Sequence, residues 1–470
     1  MSINEHNRRQ FLKLTSSGVS AFALSSLINS TEAAPLAKPK LHHAAKAKSV
    51  ILLYMSGGVS HVDSFDPKGL LTEMHGKPMP GKIERTQFDA VGNILGTFWK
   101  PGRYGKSGIE MASLFPNICE MADDLAIVRS MTADFSEHAQ GNFFMHSGFP
   151  FLGYPSAGAW VAYGLGSENP NLPPYVVLRT NSAGIPHGGI SIFGNGFLPA
   201  VTGGSIFNLT DNNAVPNITP RMAKEQQRKS LDIIKSLDRG FADRVAAEQA
   251  VMDSVQNAET AFEMQQAVPE LTDISGETQA TFDLYGVEDA NPHTAQYAKQ
   301  CLMARRLVER GVRFVELSCS NVGVGAGGAG NPWDQHGEIQ KGHGGMSKQV
   351  DQPIAALLKD LKQRNLLDST LVVFTGEFGR TPFAQGNGRD HNPYGFSLWL
   401  AGGGMKGGVT YGKTDEFGYH AIENPSTVYD LWATVLHQLG IDHERLTYRY
   451  SGRDIRLTDV HGHVWHKIIA

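Results

Sequence analysis

Five short apolar runs punctuate the chain: Ser49–Met55, Leu125–Ser130, Arg313–Cys319, Thr370–Thr375 and Phe396–Gly402. Each is too short for a helix and is bounded by polar or glycine-rich residues; the first stops at Ser56-Gly57-Gly58. Such runs predict buried strands. The third follows a helical pattern over Ala295–Arg310, and the fourth follows one over Pro353–Arg364. Strands alternating with helices predict an α/β domain with a mostly parallel central sheet covered on both faces. The stretch Met222–Gln265 differs: it is charged, rich in Ala and Gln, and helical in period. It predicts a helical insertion or cap, about residues 216–275. Glycines at Gly188-Gly189, Gly194, Gly196 and Gly203-Gly204 fit either a segment folded over a site or plain surface turns.

The N-terminus stands outside this pattern. The stretch N-R-R-Q-F-L-K puts Arg8 and Arg9 before Phe11 and Leu12, and a mildly apolar run, Leu14–Ile28, follows. That run is too short and too rich in Ser and Gly to anchor in a bilayer. Small residues stand beyond it at Thr31 and Ala33. Basic start, short apolar centre and small-residue exit predict a twin-arginine signal peptide over residues 1–33. The twin-arginine translocase is then a partner, and the periplasm or exterior the destination. A Lys/Ala/Pro linker, residues 34–48, would lead into one domain, 49–470.

Cleavage near Ala33 would remove three basic and two acidic residues, leaving the chain one charge more negative than the −4 of the full sequence. A mildly acidic chain gives no sign of a nucleic-acid surface. No later apolar run has membrane-spanning length, so an integral membrane protein is not expected. Cys119, Cys301 and Cys319 permit at most one disulfide, match no zinc motif, and sit in apolar surroundings as small core residues would.

Candidate chemistry lies where the strands end. In open parallel sheets, functional groups gather beyond the carboxyl ends of the strands. After the first run come His61, Asp63 and Asp66; after the second, Asp134, Ser136 and His138; after the third, Asp334 and His336; after the fourth, Glu377 and Arg380; before the fifth, Asp390 and His391. Each alone fits an ordinary turn or ion pair, but five segments bringing His and carboxylate groups to one edge point to a metal site. Mixed ligands suit Zn²⁺ or Mn²⁺, and carboxylate-rich shells suit Mg²⁺ or Ca²⁺. Asp334 and His336, two apart, would share a side if extended. Arg380 could clamp a tetrahedral oxyanion or pair with Glu377. D-F-S-E has the form of a capping box with Asp134 as cap, which places Ser136 and His138 in the first turn of a helix; the other option is Ser136 itself as the cap.

The blocks G-G-V-S-H-V-D-S-F-D-P-K, A-R-R-L-V-E-R-G-V-R-F-V-E, W-D-Q-H-G, G-E-F-G-R-T-P, G-R-D-H-N and L-A-G-G-G-M-K-G-G, with the twin-arginine start, resemble an exported bacterial family of unknown function within the alkaline phosphatase/sulfatase superfamily. The resemblance spans essentially the whole mature chain. It implies an alkaline phosphatase-like three-layer sandwich, a one- or two-metal site, and hydrolysis of phosphate or sulfate esters. It matches the first-strand metal ligand to the region of Asp63, with His61 beside it. It matches an Asp-His pair to Asp334 and His336, and the last metal-binding His to His391. A strand-end Asp-His pair falls on Glu377-Phe378, where the carboxylate survives and the His does not. The sulfatase motif C-x-P-S-R or S-x-P-S-R is missing. Matching Ser147-Gly148 to its closing Thr-Gly puts the nucleophile position on His138, two residues from Ser136.

Two functions follow as expectations. One is an exported metal-dependent hydrolase in which Asp63, Asp334, His336 and His391 hold a divalent ion, Arg380 meets the oxyanion, and His138, Ser136 or activated water attacks. Its partner would be an anionic ester, such as a sulfated or phosphorylated glycan. The other is a non-catalytic protein that binds an anionic glycan or a partner on the same fold.

Overall fold

In a computed structural model of the protein, residues 41–85, 91–180, 184–210, 214–245, 248–323, 328 and 330–470 are described. The expected signal peptide and linker residues 34–40 lie outside them. The rest of the expected linker is tied down: the amides of His42 and His43 reach the Gly440 carbonyl, and those of Lys46 and Ala47 reach the Gln438 carbonyl.

The strands that build and serve the main sheet are β1 (Ser49–Tyr54), β2 (Leu125–Met131), β3 (Tyr175–Arg179), β4 (Ser205–Asn208), β5 (Phe314–Ser318), β6 (Thr370–Thr375), β7 (Gly379–Gln385), β8 (Gly388–Asn392), β9 (Phe396–Ala401) and β10 (Val409–Tyr411). Eight of them form one sheet in the order β10-β2-β9-β6-β1-β5-β3-β4, and β7 and β8 form a separate hairpin. The principal helices are α1 (His138–Ser147), α2 (Ala157–Leu165), α3 (Lys224–Val245), α4 (Glu248–Thr272), α5 (Pro292–Glu309), α6 (Ile339–Gln363) and α7 (Val428–Gln438).

Alternate residues of β1 serve opposite faces, as the period of two requires. Ile51 and Leu53 enter one core with Leu302 and Leu307 of α5 and Val350, Ile354 and Leu357 of α6. Val50, Leu52 and Tyr54 enter the other with Phe144 of α1, Trp160 and Val161 of α2, and Leu431 and Val435 of α7. The result is the expected α/β sandwich of three layers, helices–sheet–helices. Helices α3 and α4 cover the expected insertion and are joined by an ion pair between Arg228 and Glu259 (2.6 Å). All three cysteines are buried free thiols. No described helix is long and apolar enough to cross a membrane.

Four details differ from the sequence reading. First, β9 runs antiparallel to both β2 and β6, while the other pairings of the sheet are parallel. Second, α6 begins at Ile339 and carries Pro353 in its interior. A proline is a helix-start signal, but Met346, Val350, Ile354, Leu357 and Leu361 are all buried at spacings of three and four. That apolar stripe continues across the proline and decides the extent. Third, the cap of α1 is Glu137, whose side chain accepts from the Gln140 amide. Asp134 is not the cap, and Ser136 stays outside the helix, with His138 its first residue. Fourth, Arg380, Asp390 and His391, expected between the fourth and fifth strands, lie on two further strands, β7 and β8.

Candidate metal centre

Parallel β1, β2, β5 and β6 bring their carboxyl ends to one edge. Because β9 runs the other way, the residues just before it lie at that same edge. The hairpin β7–β8 fills the gap between the end of β6 and the start of β9. Gly386 takes φ +59° at its tip, and the tip packs on the Asp334 segment: the Arg389 amide donates to the Gln335 carbonyl (3.1 Å) and the Glu338 amide to Asn387 Oδ1 (2.7 Å). A register shift at Asp390 separates Arg389 from His391, so their side chains serve different partners.

The centre forms around Asp334. Its Oδ1 lies 2.9 Å from His336 Nε2, 3.1 Å from His391 Nε2 and 2.7 Å from Arg380 Nη2. Burial alone would raise the Asp334 pKa. The Arg380 charge and the histidine contacts outweigh burial and hold the carboxyl well below the usual carboxylate range. Both imidazoles are oriented from behind. His391 Nδ1 donates to the Ser136 carbonyl, and His336 Nδ1 to Gln385 Oε1. In the tautomer that those contacts favour, with the proton on Nδ1, each Nε2 turns a lone pair into the cluster. Burial, Arg380 and His138 push His391 down to about 3, which keeps it neutral. The Asp390 carboxyl is fully buried, and among the described residues its Oδ2 has no hydrogen-bond partner; its Oδ1 is 3.8 Å from His336 Nδ1. Two overlapping groups, His138-Asp334-His391 and His336-Asp390-His391, each place three ligand atoms within 4.8 Å of one another. Converging lone pairs beside a partnerless buried carboxylate oxygen fit a divalent cation, and the His/carboxylate mix fits Zn²⁺ or Mn²⁺ in particular.

His138 stands beside this group. Its Nδ1 is 2.7 Å from Glu377 Oε1 and its Nε2 3.1 Å from Asp334 Oδ2. Burial disfavours a charge there, but contact with the Asp334 carboxylate and the hydrogen bond to Glu377 prevail and raise its pKa to about 9. Glu377 is fixed by the Gly57 amide (2.8 Å) and stands apart from the Asp334–His336–His391 cluster. Gly57 takes φ +104°, and a Cβ there would come within 2.5 Å of the Asp334 amide; the loop after β1 needs glycine to pass this close. Gly141 likewise lets α1 lie on Glu377, where an added Cβ would meet the Glu377 Cβ at 3.2 Å.

Several expected roles are not met by the geometry. Asp63 is fully buried in a two-point contact with Arg389 (2.7 and 3.2 Å) and accepts from Ser60 Oγ (2.6 Å). It joins neither ligand group. Its neighbour His61 points its Nε2 at the Gly418 carbonyl (2.7 Å). Arg380 is fully buried; it donates to the carbonyls of Gly57, Gly58 and Arg389 as well as to Asp334. Its guanidinium braces Asp334 rather than facing an incoming anion, and its acidic partner is Asp334, not Glu377. Ser136 contributes its main-chain carbonyl to His391.

Three participants escaped the sequence reading: Gln385 behind His336, Arg389 behind Asp63, and His187. The exposed His187 ring lies edge-on to His138 with centroids 5.9 Å apart, and its Nδ1 is 3.0 Å from Asn331 Nδ2. Gly188, at φ +110°, follows it, so part of the glycine-rich segment does fold against the centre. The Gly386-Asn387 pair between two short runs was a readable hairpin signal.

A family model described as "Protein of unknown function (DUF1501)" matches residues 47–469. No curated protein matches the chain. Among solved structures, the PsFucS1 sulfatase from Pseudoalteromonas sp. matches at TM-score 0.36 and 13% identity, over 84% of this chain and 68% of that one. The alkaline phosphatase of the Antarctic bacterium TAB5 matches at 0.34 and 11%, over 84% and 98%. A protein in the alkaline phosphatase superfamily from Vibrio parahaemolyticus matches at 0.36 and 13%, over 93% and 76%. Likeness of that size says nothing of activity.

Proposed function

The chain belongs to the DUF1501 family, and we propose that it is an exported, metal-dependent hydrolase of phosphate or sulfate esters. One observation carries this reading: His336 Nε2 and His391 Nε2 converge on Asp334 Oδ1 at 2.9 and 3.1 Å, each ring oriented by a carbonyl oxygen at its far nitrogen. Asp334, His336 and His391 would hold the ion, with Asp390 beside them. A divalent ion bound there supplies Lewis-acid polarisation of an ester oxygen. His138 has carboxyl groups at both ring nitrogens, so its role is to keep a proton at Nε2 beside developing negative charge rather than to attack. The substrate class is an anionic ester, and a sulfated or phosphorylated glycan is one member of it.

A second reading, a non-catalytic protein that binds an anionic glycan, is favoured by one feature. The Phe378 ring packs 4.5 Å from His391 and 5.1 Å from His138, an apolar neighbour where a second cation would need a ligand.

The test is metal analysis of the mature chain recovered from the periplasm, then assay on nitrophenyl phosphate and nitrophenyl sulfate with Zn²⁺, Mn²⁺, Mg²⁺ or Ca²⁺. Bound metal with turnover that Asp334→Ala abolishes supports the hydrolase. Oxyanion binding without turnover supports the second reading. A chain that takes up no metal and turns over neither ester rejects the proposal. Export is tested separately: changing Arg8 and Arg9 together to Lys is expected to leave the chain in the cytoplasm.

A further inference from the structure

Helix α1 carries a polar stripe on the face it turns to the sheet. His138, Asn142 and His146 recur at intervals of four and so lie along one side. All three are buried. Each meets a different part of the sheet. His138 Nδ1 contacts Glu377 Oε1, just beyond β6, at 2.7 Å. Asn142 Oδ1 accepts from Tyr54 Oη, at the end of β1, at 2.6 Å. His146 Nε2 contacts Glu316 Oε1, in the middle of β5, at 2.8 Å. The other Glu316 oxygen accepts from Tyr175 Oη on β3 (2.8 Å), and His146 Nδ1 donates to the Asn142 carbonyl (2.7 Å). The strands concerned, β3, β5, β1 and β6, are consecutive neighbours in the sheet. One helix face is thus matched, polar group by polar group, to three adjacent strands, and Glu316 ties in the fourth, β3, through Tyr175.

Glu316 is the odd residue in this set. It is fully buried in a strand otherwise apolar up to its final serine, and it touches none of the centre's ligands. A buried ion pair gives no clear stability gain over apolar residues of the same volume. Its specific effect is on register. Turning or sliding α1 would leave His146 Nε2 and Glu316 Oε1 without partners, which is costly in a dry core. The same motion would carry His138 away from Glu377 and Asp334.

We infer that His146 and Glu316 are positioning residues, whose pairing locks α1 in the one register that delivers His138 to the metal centre. The inference rests on the proposed function only for the use to which His138 is put; the placement itself is a matter of geometry.

The decisive signal is the hydrogen-bonded imidazole N–H of His138, observed by proton NMR on the metal-free mature chain and assigned by its loss in His138→Gln. The double variant His146→Leu with Glu316→Leu removes both buried groups together and leaves no unpaired charge. It is expected to lose or markedly shift this resonance while keeping its near-ultraviolet circular dichroism, and to bind Zn²⁺ roughly tenfold more weakly. Glu316→Gln keeps the acceptor for Tyr175 and offers an NH2 that His146 Nε2 can accept, so it is expected to retain the resonance. A double variant with an unchanged His138 resonance and unchanged Zn²⁺ affinity overturns the inference. Should the double variant not fold, Tyr175→Phe loosens one Glu316 oxygen without stranding a charge; a shift of the same resonance is expected, and its constancy would overturn the inference equally. Failure of the chain to hydrolyse any ester counts against the proposed function and leaves the resonance test standing.

Discussion

His336 and His391 face each other Nε2 to Nε2 across 3.0 Å. Two imidazoles hold that posture because their Nδ1 atoms are engaged by Gln385 and by the Ser136 carbonyl. Gln385 lies outside the ligand set, yet it decides which His336 nitrogen points inward. Gln385→Leu is therefore expected to weaken Zn²⁺ or Mn²⁺ binding by about 10- to 100-fold with little change in the urea midpoint. His391→Ala should weaken it at least as much. Calorimetric titration of the chelator-treated chain measures both.

Asp63 gives the opposite pattern. It neutralises Arg389 deep in the hairpin's support, and both side chains are fully buried. Burial would raise its pKa, but Arg389 outweighs that and holds it below its ordinary value. Asp63→Ala strands the Arg389 guanidinium and is expected to cost about 3–5 kcal/mol of stability. Metal affinity of the fraction still folded should change far less than in the ligand variants. Urea denaturation paired with metal titration separates the two effects.

Acid and base should act through different histidines. His138 is raised to about 9 in the fold, against about 6.5 in an unfolded chain. Its contribution is complete below about pH 6.5 and is lost as pH rises through about 9. His391 and His343 are pushed down to about 3 by burial first of all. Below about pH 6.5 the unfolded chain takes up protons that these two refuse in the fold, so stability falls as pH drops. The metal-free chain is expected to be most stable near pH 6.5, and His138→Gln should shrink the alkaline limb, to which the raised His146 also contributes, while leaving the acid limb. Urea midpoints across the pH range, measured with chelator present, give the curve.

Gly57 offers a backbone test. At φ +104°, an added Cβ would approach the Asp334 amide at 2.5 Å and the Trp333 amide at 2.8 Å. Gly57→Ala should cost roughly 1–3 kcal/mol through its dihedral angle alone. It should also displace Asp334, so that metal affinity and stability fall together, unlike either pattern above.

The frame was legible because its signals are local. Val50 to Leu53, Leu371 to Phe374 and Leu398 to Leu400 are runs that only a buried strand accommodates. Their shared edge followed from the alternation with helices. The edge strand Ser205–Asn208 was not legible: it is short and only partly buried, so it lacks an apolar run. At the site, sequence could assemble the candidates but could not allot them. Asp63 and Asp334 look alike along the chain. What separates them is what packs around each: Asp63 is closed off by Arg389, 326 positions away, while Asp334 meets His336 and His391 as well as Arg380. Charge pairing across such separations is settled by packing, which leaves no trace in spacing. Ser136 illustrates the same point, since its contribution is a carbonyl that every residue possesses.

The reversed direction of β9 bears on how such a centre could change over evolutionary time. Residues 376–395 leave the sheet at the end of β6 and return at the neighbouring β9 on the same rim. This excursion is closed, and it carries Arg380, Arg389, Asp390 and His391. It could lengthen, shorten or be rebuilt without rethreading any strand beneath it. The ligands it carries are thus held in place by packing, as between Asp63 and Arg389, and not by the threading of the sheet, so the centre can be altered without reordering a strand.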